Sequence, residues 1–125
     1  MLKFYKCAKC GAVVAKIVEK PCPIMCCGEA MVELTANTEE AAFEKHIPDV
    51  TMDGDVICAK VGSVEHPMMP EHFIQFIALE TEGGMQIKYL KPEEKPEAKF
   101  VAADGKAIAV YEFCNLHGLW KKDLL

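Results

Sequence analysis

From Val56 onward the hydrophobic positions come in short runs rich in β-branched and aromatic residues: Val56 to Val64, Phe73 to Glu80, Met85 to Leu90, Ala98 to Ala102 and Lys106 to Cys114. Asp53-Gly54, Gly83-Gly84, Lys91-Pro92 and Asp104-Gly105 punctuate them with residues that favour turns. With a first strand near Asp49 to Met52, this spacing predicts an antiparallel sandwich of about seven strands. Ahead of it, Asn37 followed by Glu40 reads as a helix N-cap with its third-position acid, so a helix of about two turns is expected over Thr38 to Lys45, closed by Pro48. Residues 1–35 show only one strand-like run, Ala12 to Val18. Lys91 to Lys99, with two Pro and alternating Lys and Glu, reads as a solvated loop.

A chain of 125 residues, 51% hydrophobic, has room for one ordinary domain, or a small domain with a very small module. No apolar run approaches the roughly 18 residues a membrane helix needs, so no membrane contact is expected and the chain reads as soluble and cytoplasmic. All 14 basic residues are Lys, against 19 acids. A chain without Arg and with net charge −5 lacks the basic patch and bidentate contacts of a nucleic-acid reader. The charge is uneven: residues 1–35 carry five Lys against three Glu, while residues 36–125 carry nine Lys against 16 acids. This asymmetry points to two modules, 1–35 and 36–125.

Five of the seven Cys fall in the first of these. In a reducing compartment clustered thiols are more often metal ligands than disulfides, and a segment with so little apolar surface needs a metal to fold. Cys7-x-x-Cys10 and the adjacent pair Cys26-Cys27 offer four thiolates suited to zinc or iron, although neighbouring cysteines must distort the local backbone to reach one ion. Cys22 reads as a spare loop thiol, Cys58 as a small buried hydrophobe, and Met68 and Met69 as packing residues.

All four His lie in residues 36–125: His46, His66, His72 and His117, the last in Cys114-Asn115-Leu116-His117. Singly, each is an ordinary surface or buried histidine. Taken together with Cys114 they make five ligands, one more than a structural zinc accepts. Iron accommodates five and keeps a sixth position for a small substrate, with a thiolate pushing electron density toward it.

The motifs Tyr5-Lys6-Cys7-x-x-Cys10-Gly11, Cys26-Cys27-Gly28-Glu29, Glu44-Lys45-His46-Ile47-Pro48, Val64-Glu65-His66-Pro67-Met68, Glu71-His72-Phe73-Ile74 and Glu112-Phe113-Cys114-Asn115-Leu116-His117-Gly118 resemble those of desulfoferrodoxin, the two-iron form of superoxide reductase. The resemblance covers nearly the whole chain. It implies a mainly β protein: a small rubredoxin- or desulforedoxin-like module over 1–35, then an immunoglobulin-like sandwich over 36–125. It further implies two iron ions per chain. One is held by Cys7, Cys10, Cys26 and Cys27, a site that zinc can occupy in recombinant protein; the other is held by His46, His66, His72, His117 and Cys114.

The implied reaction is one-electron reduction of superoxide to hydrogen peroxide, without dioxygen, with re-reduction by an external donor such as rubredoxin. In the family a Lys at the position of Lys45 attracts the anion and orders proton-delivering water, and a Glu at the position of Glu44 acts on the oxidised centre. Without the resemblance, Glu44 and Lys45 read as a charged helix end. The family also pairs into homodimers through its first module. Cys22, Cys58 and the missing Arg stand outside the family pattern.

Overall fold

Strands form where the β-branched and aromatic runs lie, because such side chains pack well on a pleated, half-buried surface. The computed structural model describes residues 2–39 and 43–125, and the chain is mainly β. It divides into two units, Met1–Thr35 and Ala36–Leu125.

In the first unit β1 (Phe4–Lys6) is central to a three-stranded sheet, between β2 (Val13–Ala15) and β5 (Val32–Glu33). A hairpin of β3 (Met25–Cys26) and β4 (Glu29–Ala30) completes it. The expected strand over Ala12 to Val18 contracts to β2, since Ile17 and Val18 are 82% and 69% exposed and have no face to bury.

In the second unit a short helix, α1 (Phe43–His46), precedes the sandwich. One sheet has the order β10-β7-β6, from β6 (Pro48–Asp53), β7 (Val56–Val61) and β10 (Glu97–Val101). The other has the order β12-β11-β8-β9, from β8 (Ile74–Thr81), β9 (Gly84–Tyr89), β11 (Ala107–Cys114) and β12 (Gly118–Asp123). All pairings are antiparallel. One core joins the two sheets: Ile57, Ala59, Val61, Ala98 and Phe100 from the first face Ile74, Ile77, Leu79, Val110 and Cys114 from the second. Each large aliphatic side chain here contributes about 1.5–3 kcal/mol by leaving water.

Several expectations change. Asn37 does not cap a helix: at φ 63° its side chain bridges to β12, with Oδ1 accepting from Lys121 N at 2.9 Å and Nδ2 donating to Lys121 O at 3.2 Å. Of the expected helix, Glu40 to Ala42 lie outside the described residues, and Phe43–His46 are helical. Pro48 opens β6 opposite Val61. That position suits a residue with no amide to donate. Cys58 lies on the outward, half-exposed face of β7, because Ile57 and Ala59 take the inward one. Among the described residues no helix is long and apolar enough to cross a membrane.

Candidate metal centres

The first cluster is built from two turns. After β1, Gly11 N donates to Cys7 O (3.0 Å) and Cys7 N to Ala12 O (2.9 Å), folding Cys10 back so that its amide points at Cys7 Sγ, 3.4 Å away. The second turn explains how adjacent cysteines serve one site. Met25 pairs with Ala30 and Cys26 with Glu29, leaving Cys27-Gly28 as a two-residue loop with φ of 53° and 80°. Two successive positive φ values make a type I′ turn, and this reversal brings Cys27 Sγ beside Cys26 Sγ (3.9 Å), which is 3.7 Å from Cys10 Sγ. All four sulfurs lie within 4.8 Å of one another.

The amide of Cys10 draws the Cys7 thiol down to about 6. Cys26 is pushed up to about 12, chiefly by its contact with Cys10, and Cys27 is also raised for that reason. Four thiols this close cannot all ionise unless a cation sits among them, so the donor set fits a tetrahedral thiophilic metal.

The second cluster gathers at one end of the sandwich. His46 ends α1, His66 follows the loop after β7, and His72 precedes β8; Cys114 ends β11 and His117 lies in the hairpin loop to β12. The four imidazoles form a closed ring with neighbouring centroids 4.5 Å (His46–His66), 4.7 Å (His66–His72), 5.0 Å (His72–His117) and 4.9 Å (His117–His46) apart, every pair edge to face. His46, His66, His117 and Cys114 place their donor atoms within 4.8 Å of one another. A register shift between Phe113 and Cys114 aims the sulfur, which lies 3.8 Å from His117 Nδ1.

Tautomers follow from the outer contacts. His66 Nδ1 donates to Pro67 O at 2.6 Å, which leaves Nε2 as the free lone pair. That Nε2 and His72 Nε2 are buried with no hydrogen-bond partner, while His46 Nε2 and His117 Nδ1 face each other at 3.1 Å. Orphaned ring nitrogens are costly unless something accepts their lone pairs, so the set fits a metal. Burial, reinforced by the neighbouring imidazoles, lowers His46 to about 3, and burial is also the main cause that lowers His66 to about 4 and brings His72 down. His46, His66 and His72 are therefore neutral and ready to ligate at neutral pH. Burial pushes the Cys114 thiol up, opposed by the amides of Leu116 and His117, which donate to the sulfur.

Sequence reasoning had missed the supporting residues. Trp120 stacks on His46 (4.9 Å between centroids, 14° between planes), and its Nε1 donates to His117 O at 2.9 Å. Glu112, fully buried, stands 3.6 Å from His46 Nδ1, and burial holds its carboxyl well above the usual range. The one available signal was position: Trp120 and Glu112 flank the Cys114–His117 motif by three and two residues.

Lys45 and Glu44 are exposed beside buried His46, and the Lys45 ammonium disfavours protonation of His46, His66 and His72. The backbone carrying the pair is pinned by the turn after β7: Glu44 O accepts from Val64 N (2.9 Å) and Ser63 Oγ (3.3 Å). Met68 packs on the core, whereas Met69 is exposed and closes a turn on His72. The loop after β9 is more than solvated, since Glu93 N donates to Met68 O at 2.7 Å.

A β-sandwich that collects four imidazoles and a cysteine sulfur, on a chain that also carries a four-cysteine cluster, has the build of a non-haem protein with two metal centres. The desulfoferrodoxin family model matches residues 38–123. Desulfoferrodoxin of Syntrophotalea carbinolica is 44% identical over 122 residues, covering 98% of this chain and 96% of the relative. That of Clostridium acetobutylicum is 41% identical over 123 residues, with 98% and 97% covered. Among solved structures, the superoxide reductase from Treponema pallidum matches with TM-score 0.80 at 37% identity, covering 98% of this chain and 99% of that one. The chain belongs to the desulfoferrodoxin family.

Proposed function

We propose that this protein is a superoxide reductase, with catalysis in the unit Ala36–Leu125 and an iron–tetrathiolate module in Met1–Thr35. The observation that carries the reading is the closed ring of four imidazoles gathered beside one buried cysteine sulfur. Five donors leave an octahedral ion one position for a small ligand. Iron held by His46, His66, His72, His117 and Cys114 would supply the electron, so that superoxide plus one electron and two protons gives hydrogen peroxide, and a rubredoxin-like donor would restore the reduced ion.

The chain's own residues do the rest. Cys114 donates charge through a sulfur steadied by the amides of Leu116 and His117. Lys45 gives an acidic protein a local positive charge that draws in the anion. Glu44, on the same turn, acts later, on the oxidised centre. Trp120 closes off one face of His46. The free thiols fit a reducing cytoplasm. Ile17, Val18, Met25 and Val32, each at least 60% exposed, give the first unit an apolar surface that supports a homodimer.

The test is anaerobic iron reconstitution followed by pulse radiolysis. Two irons per chain and peroxide without dioxygen are expected. Clearly fewer than two metals, or dioxygen evolved in the proportion of dismutation, overturns the proposal.

A further inference from the structure

The superoxide reductase reading leaves Asn115 without a role, although it stands between two metal-site residues, Cys114 and His117. Its contacts are directed to one place. Asn115 Oδ1 accepts from Phe73 N at 2.9 Å, Nδ2 donates to Glu71 O at 3.0 Å, and the backbone amide donates to Phe73 O at 3.2 Å. All three bonds fall on the residues either side of His72.

His72 needs this support more than its neighbours. His66 is fixed by Pro67 O, and His46 by its stack on Trp120. Among the described residues the buried Nε2 of His72 has no hydrogen-bond partner. Its ring meets those of His66 and His117 edge to face, and on the backbone Met69 and His72 exchange amide bonds of 2.9 and 3.0 Å. A ring whose nitrogen has no hydrogen-bond anchor depends on its backbone for its direction.

We infer that Asn115 is a positioning residue that holds His72 in the imidazole ring by tying the loop of Cys114 and His117 to the segment Glu71–Phe73. One side-chain amide thereby makes a single unit of three of the five donors. The inference rests on the superoxide reductase reading, because it presumes that the His set holds iron. Outer contacts that orient metal ligands carry about 10- to 100-fold in affinity.

The test uses the whole chain carrying Asn115→Ala or Asn115→Asp, with the tetrathiolate iron as an internal reference. Chelator competition should show at least about tenfold weaker iron binding at the His set in Asn115→Ala, with the thiolate centre unchanged. Electron paramagnetic resonance of the oxidised centre should broaden, as His72 samples several orientations. Asn115→Asp keeps the acceptor for Phe73 N and should lose less. A residue needed only for folding would lower the melting temperature of the metal-free protein and leave the spectrum of the folded, loaded fraction unchanged. Wild-type affinity and resonance in Asn115→Ala, or the fold-only pattern, overturns the inference. A wild-type chain that takes up no iron at the His set overturns the functional reading as well.

Discussion

Replacing Gly62 should injure the site from outside it. Gly62 follows β7 at φ 79°, and a Cβ there would lie 2.5 Å from both Glu44 O and Lys45 C, and 2.6 Å from Lys45 O. An ordinary contact is about 3.4 Å or more, so in Gly62→Ala the Glu44–Lys45 backbone must retreat by about 0.9 Å. Positive φ on a residue with a side chain costs of order 1–3 kcal/mol. The retreat also stretches two hydrogen bonds to Glu44 O, at about 1 kcal/mol each. Gly54 has φ 60° and nothing within 4 Å of its Cβ position, so Gly54→Ala isolates the backbone cost.

We expect Gly62→Ala to lose about 3–5 kcal/mol and Gly54→Ala about 1–3 kcal/mol in urea denaturation of the metal-free protein. Lys45 and His46 ride on the displaced segment, and a displacement near 1 Å can cost up to about 100-fold in rate. Pulse radiolysis of the loaded proteins well below their melting points should therefore show at least about a tenfold slower reaction with superoxide for Gly62→Ala and no change for Gly54→Ala. Equal stability losses in the two variants, together with an unaltered rate, would refute the argument that close approach at Gly62 sets the place of the Lys45 turn.

Lys45→Ala should slow the encounter with superoxide about tenfold and flatten its salt dependence, as measured at two ionic strengths. Glu44→Ala should leave that first step unchanged and shift the spectrum of the oxidised centre; a native rate and salt slope in Lys45→Ala would reduce Lys45 to a helix-end charge. Cys114→Ser should abolish superoxide reduction, because a serine oxygen is a poor substitute for the thiolate donor. Cys10→Ser should remove the first centre, seen as loss of its iron–thiolate absorption, and leave the reaction of the reduced second centre nearly intact.

The strands from β7 to β11 were legible because apolar runs and turn residues agree along them. β12 was not among the recognised runs: Lys121, Lys122 and Asp123 mask a strand whose buried residues are Leu119 and Trp120. Pro48 and Asn37 misled for a shared reason, since each has a strong local habit that a β-strand partner overrode. The adjacent thiols of Cys26 and Cys27 looked awkward in sequence, and only the φ values of the turn show how they converge. The candidate ligands could be picked out by residue type and motif. The contacts that place them join residues far apart: Asn115 to Glu71, Trp120 to His46, and Gly62 to Glu44. Spacing carries no trace of these.

Trp120 is the only tryptophan in the chain, and it lies flat against the imidazole of His46. Its ultraviolet emission is therefore a reporter fixed at a single address. Iron arriving in the histidine ring will quench that light at short range, so the fluorescence of the unlabelled protein follows the filling and emptying of the second centre in real time. No dye, mutation or substrate is needed, and each experiment above gains an independent read of occupancy.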